Sequence, residues 1–198
     1  MKPIERSEVL GLGEYEQIRD HFRARVLALK QKRRVAIGDR MSALFENRDT
    51  VLLQIQEMIR TERISEERAV RHEIETYNEL VPEAGQLSFT LFIEIADREE
   101  RERTLVACAG MEKTVSLSVA GERIPATVTA RAGLSATRTT AVQYYLVDLS
   151  EGAARRIIEG AGPVALVVDH PAYRAEGVIS PATMKQLAAD LTPGQGFS

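Results

Sequence analysis

The feature that most narrows the fold of this chain is a change of hydrophobic period near its middle. Before about residue 85 the apolar residues recur at three- and four-residue steps, the repeat of an α-helix. From Leu87 they alternate, the repeat of a β-strand. Tyr15, Ile18, Phe22, Val26 and Leu29 predict a long helix from Glu14 to about Arg33. Its acids lie early and its bases late, as the helix dipole favours. Arg34–Ile37 and Met41–Glu46 read as two short strands around Gly38-Asp39. Asp49 then stands as the N-cap of a helix from Thr50 to near Arg63, with an apolar stripe at Val51, Leu52, Ile55, Met58 and Ile59. Ser65 caps a further helix whose stripe is Val70, Ile74, Tyr77 and Val81, and Pro82 with Gly85 ends it. Two helices so close in sequence form an antiparallel hairpin.

In the second half, Leu87, Phe89, Leu91, Ile93 and Ile95 alternate with Ser88, Thr90, Phe92 and Glu94. Asp97 with Glu100 three residues on is a capping box for a helix running to Gly110. Val115, Leu117 and Val119 alternate with serines, Gly121 turns the chain, and Ile124 to Arg131 returns as an edge strand because it contains Pro125. Residues 133–139 are a polar loop. Ala141 to Leu149 is a strand, Ser150 caps a helix, and Val164 to Val168 is apolar throughout, as a central strand is. Arg174 to Ile179 adds an edge strand, and Ser180-Pro181 opens a last helix. The class is α+β: a long helix, a short β-hairpin and a helical hairpin, then a mainly antiparallel sheet with helices. The order from Leu87 to Val168 approaches a ferredoxin-like split βαβ with one extra strand. One domain spans residues 1–198, helical over 1–85 and sheet-based over 86–191, with a flexible tail from 192 to 198.

Composition excludes several functions. With 198 residues, 28% charged and 44% hydrophobic, the chain can bury a full core. A net charge of −3 argues against nucleic acid as the main partner. The run Arg23, Arg25, Lys30, Lys32, Arg33, Arg34 has no interleaved aromatics for base stacking and reads as a solvated helix face. The single cysteine, Cys108, allows neither an internal disulfide nor a cysteine metal cluster, and its apolar helical neighbours predict a buried, inert thiol. No apolar run approaches the roughly 20 residues of a membrane span, and the N-terminus lacks the apolar core of a secretion signal. The expected location is cytoplasmic.

Glycine-rich dinucleotide, phosphate-loop and nucleophile-elbow patterns are absent, so no cofactor is expected and no nucleophile is nominated. Two stretches could instead carry a polar site. Glu46, Asn47, Arg48 and Asp49 precede the second helix, and Gln54 and Glu57 line the flank of its apolar stripe. Asp169, His170 and Tyr173 follow a buried strand directly, where Asp169 could orient the imidazole and Pro171 stiffen the turn. The bland alternatives are a core-helix edge and a packed turn. His72 and Glu75, three apart on one helix, have a spacing two metal ligands can use, yet His72 falls off the apolar stripe and faces solvent. Tyr144 and Tyr145 point to opposite sheet faces.

The segments Leu44–Arg63, Tyr77–Pro82 and Asp169–Tyr173 resemble a bacterial family, domain of unknown function 3501, and the resemblance extends over essentially the whole chain. Members of that family are often encoded near rubrerythrin-like proteins and iron–sulfur oxidoreductases of the heterodisulfide-reductase type. The resemblance therefore implies an accessory role in redox or peroxide metabolism and a partner of that kind. It brings no catalytic residues. Two functions follow as expectations: a non-catalytic interaction protein docking through its helical half, or a metal- or small-molecule-dependent enzyme. The enzyme would need Glu46–Asp49 and Gln54/Glu57 to meet Asp169-His170 or His72.

Overall fold

The architecture, seen in a computed structural model that describes residues 1–129 and 135–192, is α+β. Its elements are α1 (Leu12–Gln31), β1 (Arg34–Ile37), β2 (Met41–Glu46), α2 (Arg48–Thr61), α3 (Glu67–Asn78), β3 (Gln86–Ile93) and α4 (Arg98–Ala107). There follow β4 (Val115–Val119), β5 (Glu122–Pro125), β6 (Thr127–Val128), β7 (Val142–Asp148), α5 (Glu151–Glu159), β8 (Val164–His170), β9 (Tyr173–Val178) and α6 (Pro181–Leu191). Helix boundaries fall close to the sequence reading, but two caps do not. Asn47, in an extended conformation, accepts from the Thr50 amide at 3.0 Å while Thr50 Oγ1 accepts from the Asn47 amide at 2.9 Å. That reciprocal box starts α2 at Arg48 and places Asp49 in its first turn. Likewise α3 begins at Glu67, with Glu66 and not Ser65 at its N-cap. Asp97, Ser150 and Ser180 cap α4, α5 and α6 as their positions require.

The strands do not form the single ferredoxin-like plait. They form two antiparallel sheets, one ordered β1-β2-β3-β7-β6 and the other β5-β4-β8-β9. The physical reason lies at Pro125-Ala126. Proline ends the β4–β5 ladder, and the same run of chain continues as β6 on the edge of the first sheet. The Ala126 amide still donates to Val115 O at 3.0 Å, and the Thr129 amide donates to Tyr144 O at 2.8 Å, so Ala126 is the corner between sheets. At the opposite edges β9 lies against β1. The two sheets are thus joined along both sides around one core.

Alternation supplies that core. Phe45, Phe89 and Tyr145, on neighbouring strands of the first sheet, pack in series, Phe45 tilted against Phe89 and Phe89 stacked on Tyr145, with ring centroids 5.7 and 5.1 Å apart. They meet Leu117, Leu166 and Val168 from the second sheet, with Leu105, Ile157 and Leu187 from the helices. The β2–β3 ladder, running from Met41↔Ile93 to Glu46↔Ser88, knits the helical half to the sheet half. A second apolar cluster lies between α2 and α3 and is covered by the N-terminal segment through Ile4 and Val9, on either side of a 3-10 turn at Arg6–Glu8. Two side-chain amides hold that segment like strand neighbours. Asn78 bonds both the N–H and C=O of Ile4, each at 2.9 Å, and Gln56 bonds those of Leu10 at 2.7 and 3.2 Å. The expected tail falls, apart from Thr192, outside the described residues, as does the start of the polar loop up to residue 134.

The β1–β9 seam has a sharp test. A Cβ on Gly177 would lie 2.4 Å from Ala36 O and 2.9 Å from side-chain carbons of Val35 and Ile37. Gly177→Ala must push β9 off β1 and should cost about 1–3 kcal/mol, the range for overpacking a core. Urea denaturation of the two proteins measures this. Equal midpoints would show that the seam is loose.

Candidate functional site

The conspicuous polar residues before and along α2 are held by elements that dock on them. Asn47 is the cap. Arg48 donates to Lys2 O at 3.1 Å and pairs with Glu8, so it fastens the N-terminal segment. Asp49 receives Arg25 of α1 at 3.2 Å. Glu57 accepts the Tyr15 hydroxyl at 2.7 Å and both arms of the Arg19 guanidinium at 2.8 Å, a bidentate clamp between α1 and α2. Arg60 of α2 adds Glu16 at 2.6 Å. Gln54 is half-buried on the same helix. Glu46 differs from the others because it is 2% exposed and points into the interface between the first sheet and α2. There its carboxylate accepts the hydroxyl of Thr50 and that of Thr90, the latter at 2.6 Å.

The second stretch forms the β8–β9 turn. His170 Nδ1 accepts from the Ala172 amide at 3.2 Å, so Nε2 carries the proton and donates to Ala109 O at 3.2 Å. Asp169 does not orient this ring. Successive strand side chains point to opposite faces, and Asp169 pairs across the ladder with Arg174 at 3.1 Å. Tyr173 crosses to the other sheet, where its hydroxyl donates to Ile37 O at 2.7 Å and accepts the Arg40 amide at 3.3 Å. A side chain on Gly38 would collide with that hydroxyl, its Cβ falling 2.3 Å away, so glycine is required at this β1–β2 turn.

These contacts place the two stretches at opposite ends of β2. Tyr173 bonds the residue just before that strand, and Glu46 is its last residue. At about 3.3 Å per residue the separation is about 20 Å, beyond shared ligation or a bridging water. His72 and Glu75 are exposed on α3. Among the described residues, no group of three or more His, Cys, Asp or Glu side chains is placed to hold a metal ion.

The most buried charge was not apparent from the sequence. Arg33, read there as part of a solvated run, is 1% exposed. It donates to Phe45 O at 2.8 Å and Glu46 O at 3.1 Å and pairs with Asp190 of α6. Burial raises the Asp190 carboxyl above its usual range, and the guanidinium draws it back. The α1 periodicity does carry a signal, since Arg33 lies one helical repeat beyond Val26 and Leu29. Cys108 is buried, and burial pushes its thiol up. Tyr145 sits in the core, its hydroxyl donating to Gln143, while Tyr144 on the other face packs toward the α2–α3 cluster.

The fold is shared beyond this chain. The family model described as protein of unknown function (DUF3501) matches residues 3–191. The chain belongs to that family. A crystal structure of a novel protein of unknown function from Burkholderia pseudomallei K96243 is 31% identical, with a TM-score of 0.88 over 96% of this chain and 100% of that one. None of the curated proteins compared matches. No helix among the described residues is long and apolar enough to cross a membrane.

For this DUF3501 protein the Glu57 clamp is testable by pH. The Arg19 hydrogen bonds hold the Glu57 carboxyl below its ordinary value, outweighing partial burial. A folded-state value below the unfolded one gives stability that is complete above the unfolded carboxyl's pKa, about 4.3, and is lost as pH falls through the folded value. Glu57→Gln should therefore cost about 1–2 kcal/mol at pH 7 and progressively less toward pH 3, read by urea denaturation at both. A difference independent of pH would show that packing, not charge, holds α1.

Proposed function

We propose that the protein is a non-catalytic interaction partner that docks, through the outer face of α1, on an acidic surface of a redox protein. The observation that carries this reading is how little of α1 the fold uses. Of its 20 residues only Tyr15 and Val26 are buried. Along one ridge, at four- and three-residue steps, stand Arg23, Leu27 and Lys30. Leu27 is 37% exposed, and neither cation has an ion-pair partner among the described residues. An apolar centre flanked by free cations suits an acidic face with an apolar middle. The candidate catalytic side chains are engaged elsewhere, Glu57 by Arg19 and Tyr15 and both nitrogens of His170 by the backbone. The family resemblance supplies the kind of partner, a rubrerythrin-like or iron–sulfur protein.

The test is direct binding of the purified chain to a rubrerythrin or iron–sulfur protein encoded beside it. Binding should weaken with salt and fall at least tenfold in the Arg23→Glu, Lys30→Glu double variant. Arg23 is exposed and Lys30 half-buried, and neither substitution breaks an ion pair among the described residues. No binding, or binding indifferent to both salt and the variant, would sink the reading.

A further inference from the structure

We infer that the outer face of the second sheet is a self-association surface, on which a second copy of this chain packs across a two-fold axis. This surface is distinct from the α1 face. The strand period defines it. Val115, Leu117 and Val119 of β4 and Val164, Leu166 and Val168 of β8 point into the core, so Ser116, Ser118, Ala165 and Val167 point outward. The ladders set these residues in two rows across β5, β4, β8 and β9. One row is Arg123, Ser118, Ala165 and Val178, and the next is Pro125, Ser116, Val167 and Glu176. The apolar residues of these rows belong to neither core cluster. Among the described residues β8 packs closely on β4, β9 and β1 and on no α-helix. Val178, 70% exposed, is the most exposed of the large apolar side chains among the described residues. A lone exposed valine is ordinary, but this one continues a row of short side chains across the middle of a sheet.

The charges identify the occupant. Arg123 stands on the β5 edge and Glu176 on the β9 edge, both exposed, and neither has an ion-pair or hydrogen-bond partner among the described residues. Their charged neighbours are already paired, Glu122 with Arg156 and Asp169 with Arg174. A two-fold axis between the faces, parallel to the strands, lays β5 of each copy over β9 of the other and β4 over β8. Arg123 then lies one row, about 7 Å along the strand, from the partner's Glu176, a span its side chain covers. The axis forms that pair twice. Between the pairs, Ser116 and Ser118 meet the partner's Ala165 and Val167, all short enough for sheets to stack about 10 Å apart. Opposite charges on opposite edges make the face complementary to itself, so a second copy fits where an unrelated surface would need matching. Four strands by five residues is a patch of about 19 by 17 Å, well under the roughly 800 Å² per partner of a standard interface. The dimer is accordingly weak, with a dissociation constant on the order of 100 µM.

Sedimentation equilibrium of the full chain, from about 10 µM to about 1 mM, tests this. Arg123→Glu and Glu176→Arg should each stay monomeric throughout, because each sets like charges face to face. An equimolar mixture of the two variants should associate again, since each then offers the charges that the other needs. The doubly reversed chain should self-associate within about threefold of the native one, and Val178→Lys should weaken association at least tenfold. A native chain monomeric at the highest concentration, a dimer indifferent to both single reversals, or a mixture that fails to associate would each overturn the assignment. So would loss of the dimer in the Arg23→Glu, Lys30→Glu variant, which would place the contact on α1.

Discussion

A guanidinium 1% exposed to solvent is the point on which the parts of this fold depend. Arg33 lies just after α1 and just before β1, and its donors reach the carbonyls of Phe45 and Glu46, where β2 gives way to α2. The same group meets Asp190 near the end of α6, from the other extreme of the chain. Removing a charge from water is costly unless its donors are met, and here two carbonyls and a carboxylate meet them. The pairing is geometrically demanding, so the long helix, the first sheet and the C-terminal helix can satisfy it only when all three are in place. Replacing one partner of such a pair leaves the other buried and uncompensated.

The two sheets depend on their seams in a similar way. A five-stranded and a four-stranded antiparallel sheet have four edges, each an exposed row of donors and acceptors. Here one chain segment turns the corner at Ala126 and serves as an edge strand of both sheets. At the other side Gly177 admits β1 close against β9, and Tyr173 reaches across to Ile37 O. The core between the sheets is closed laterally by backbone. The helices are then free to cover faces and ends.

Much of this was legible in the sequence and some could not be. Period assigned nearly every helix and strand, Pro125 marked an edge, and the continuous apolar run at Val164 to Val168 marked a strand flanked on both sides, by β4 and β9. Strand order was not legible. Alternation says which face of a strand is apolar but not which neighbour it pairs with, so a corner at Ala126 and a simple plait read alike. The Arg33 charge was hidden because a basic run looks the same whether one of its members turns inward. The Asp49 cap missed by two positions for a local reason, since Asn47 with Thr50 makes a reciprocal box that a lone aspartate cannot.

The candidate site shows the same limit from the functional side. Glu46, Arg48, Asp49 and Glu57 stand out because polar groups at the edge of an apolar stripe are unusual, and what they do is fasten neighbouring elements: Glu8 to α2, α1 to α2, the sheet to the helix. A side chain whose lone pairs are already occupied has little capacity left for a ligand unless those contacts open. Surfaces able to take a partner or a small molecule are instead those with donors left over after folding. In this chain these include the Arg23–Leu27–Lys30 ridge of α1. There the binding groups are guanidinium and ammonium, in a protein whose net charge is −3, so an anionic partner meets local attraction against a weakly repelling whole. Local donors at contact distance outweigh that background because the long-range part is screened within about 8–10 Å at ordinary ionic strength.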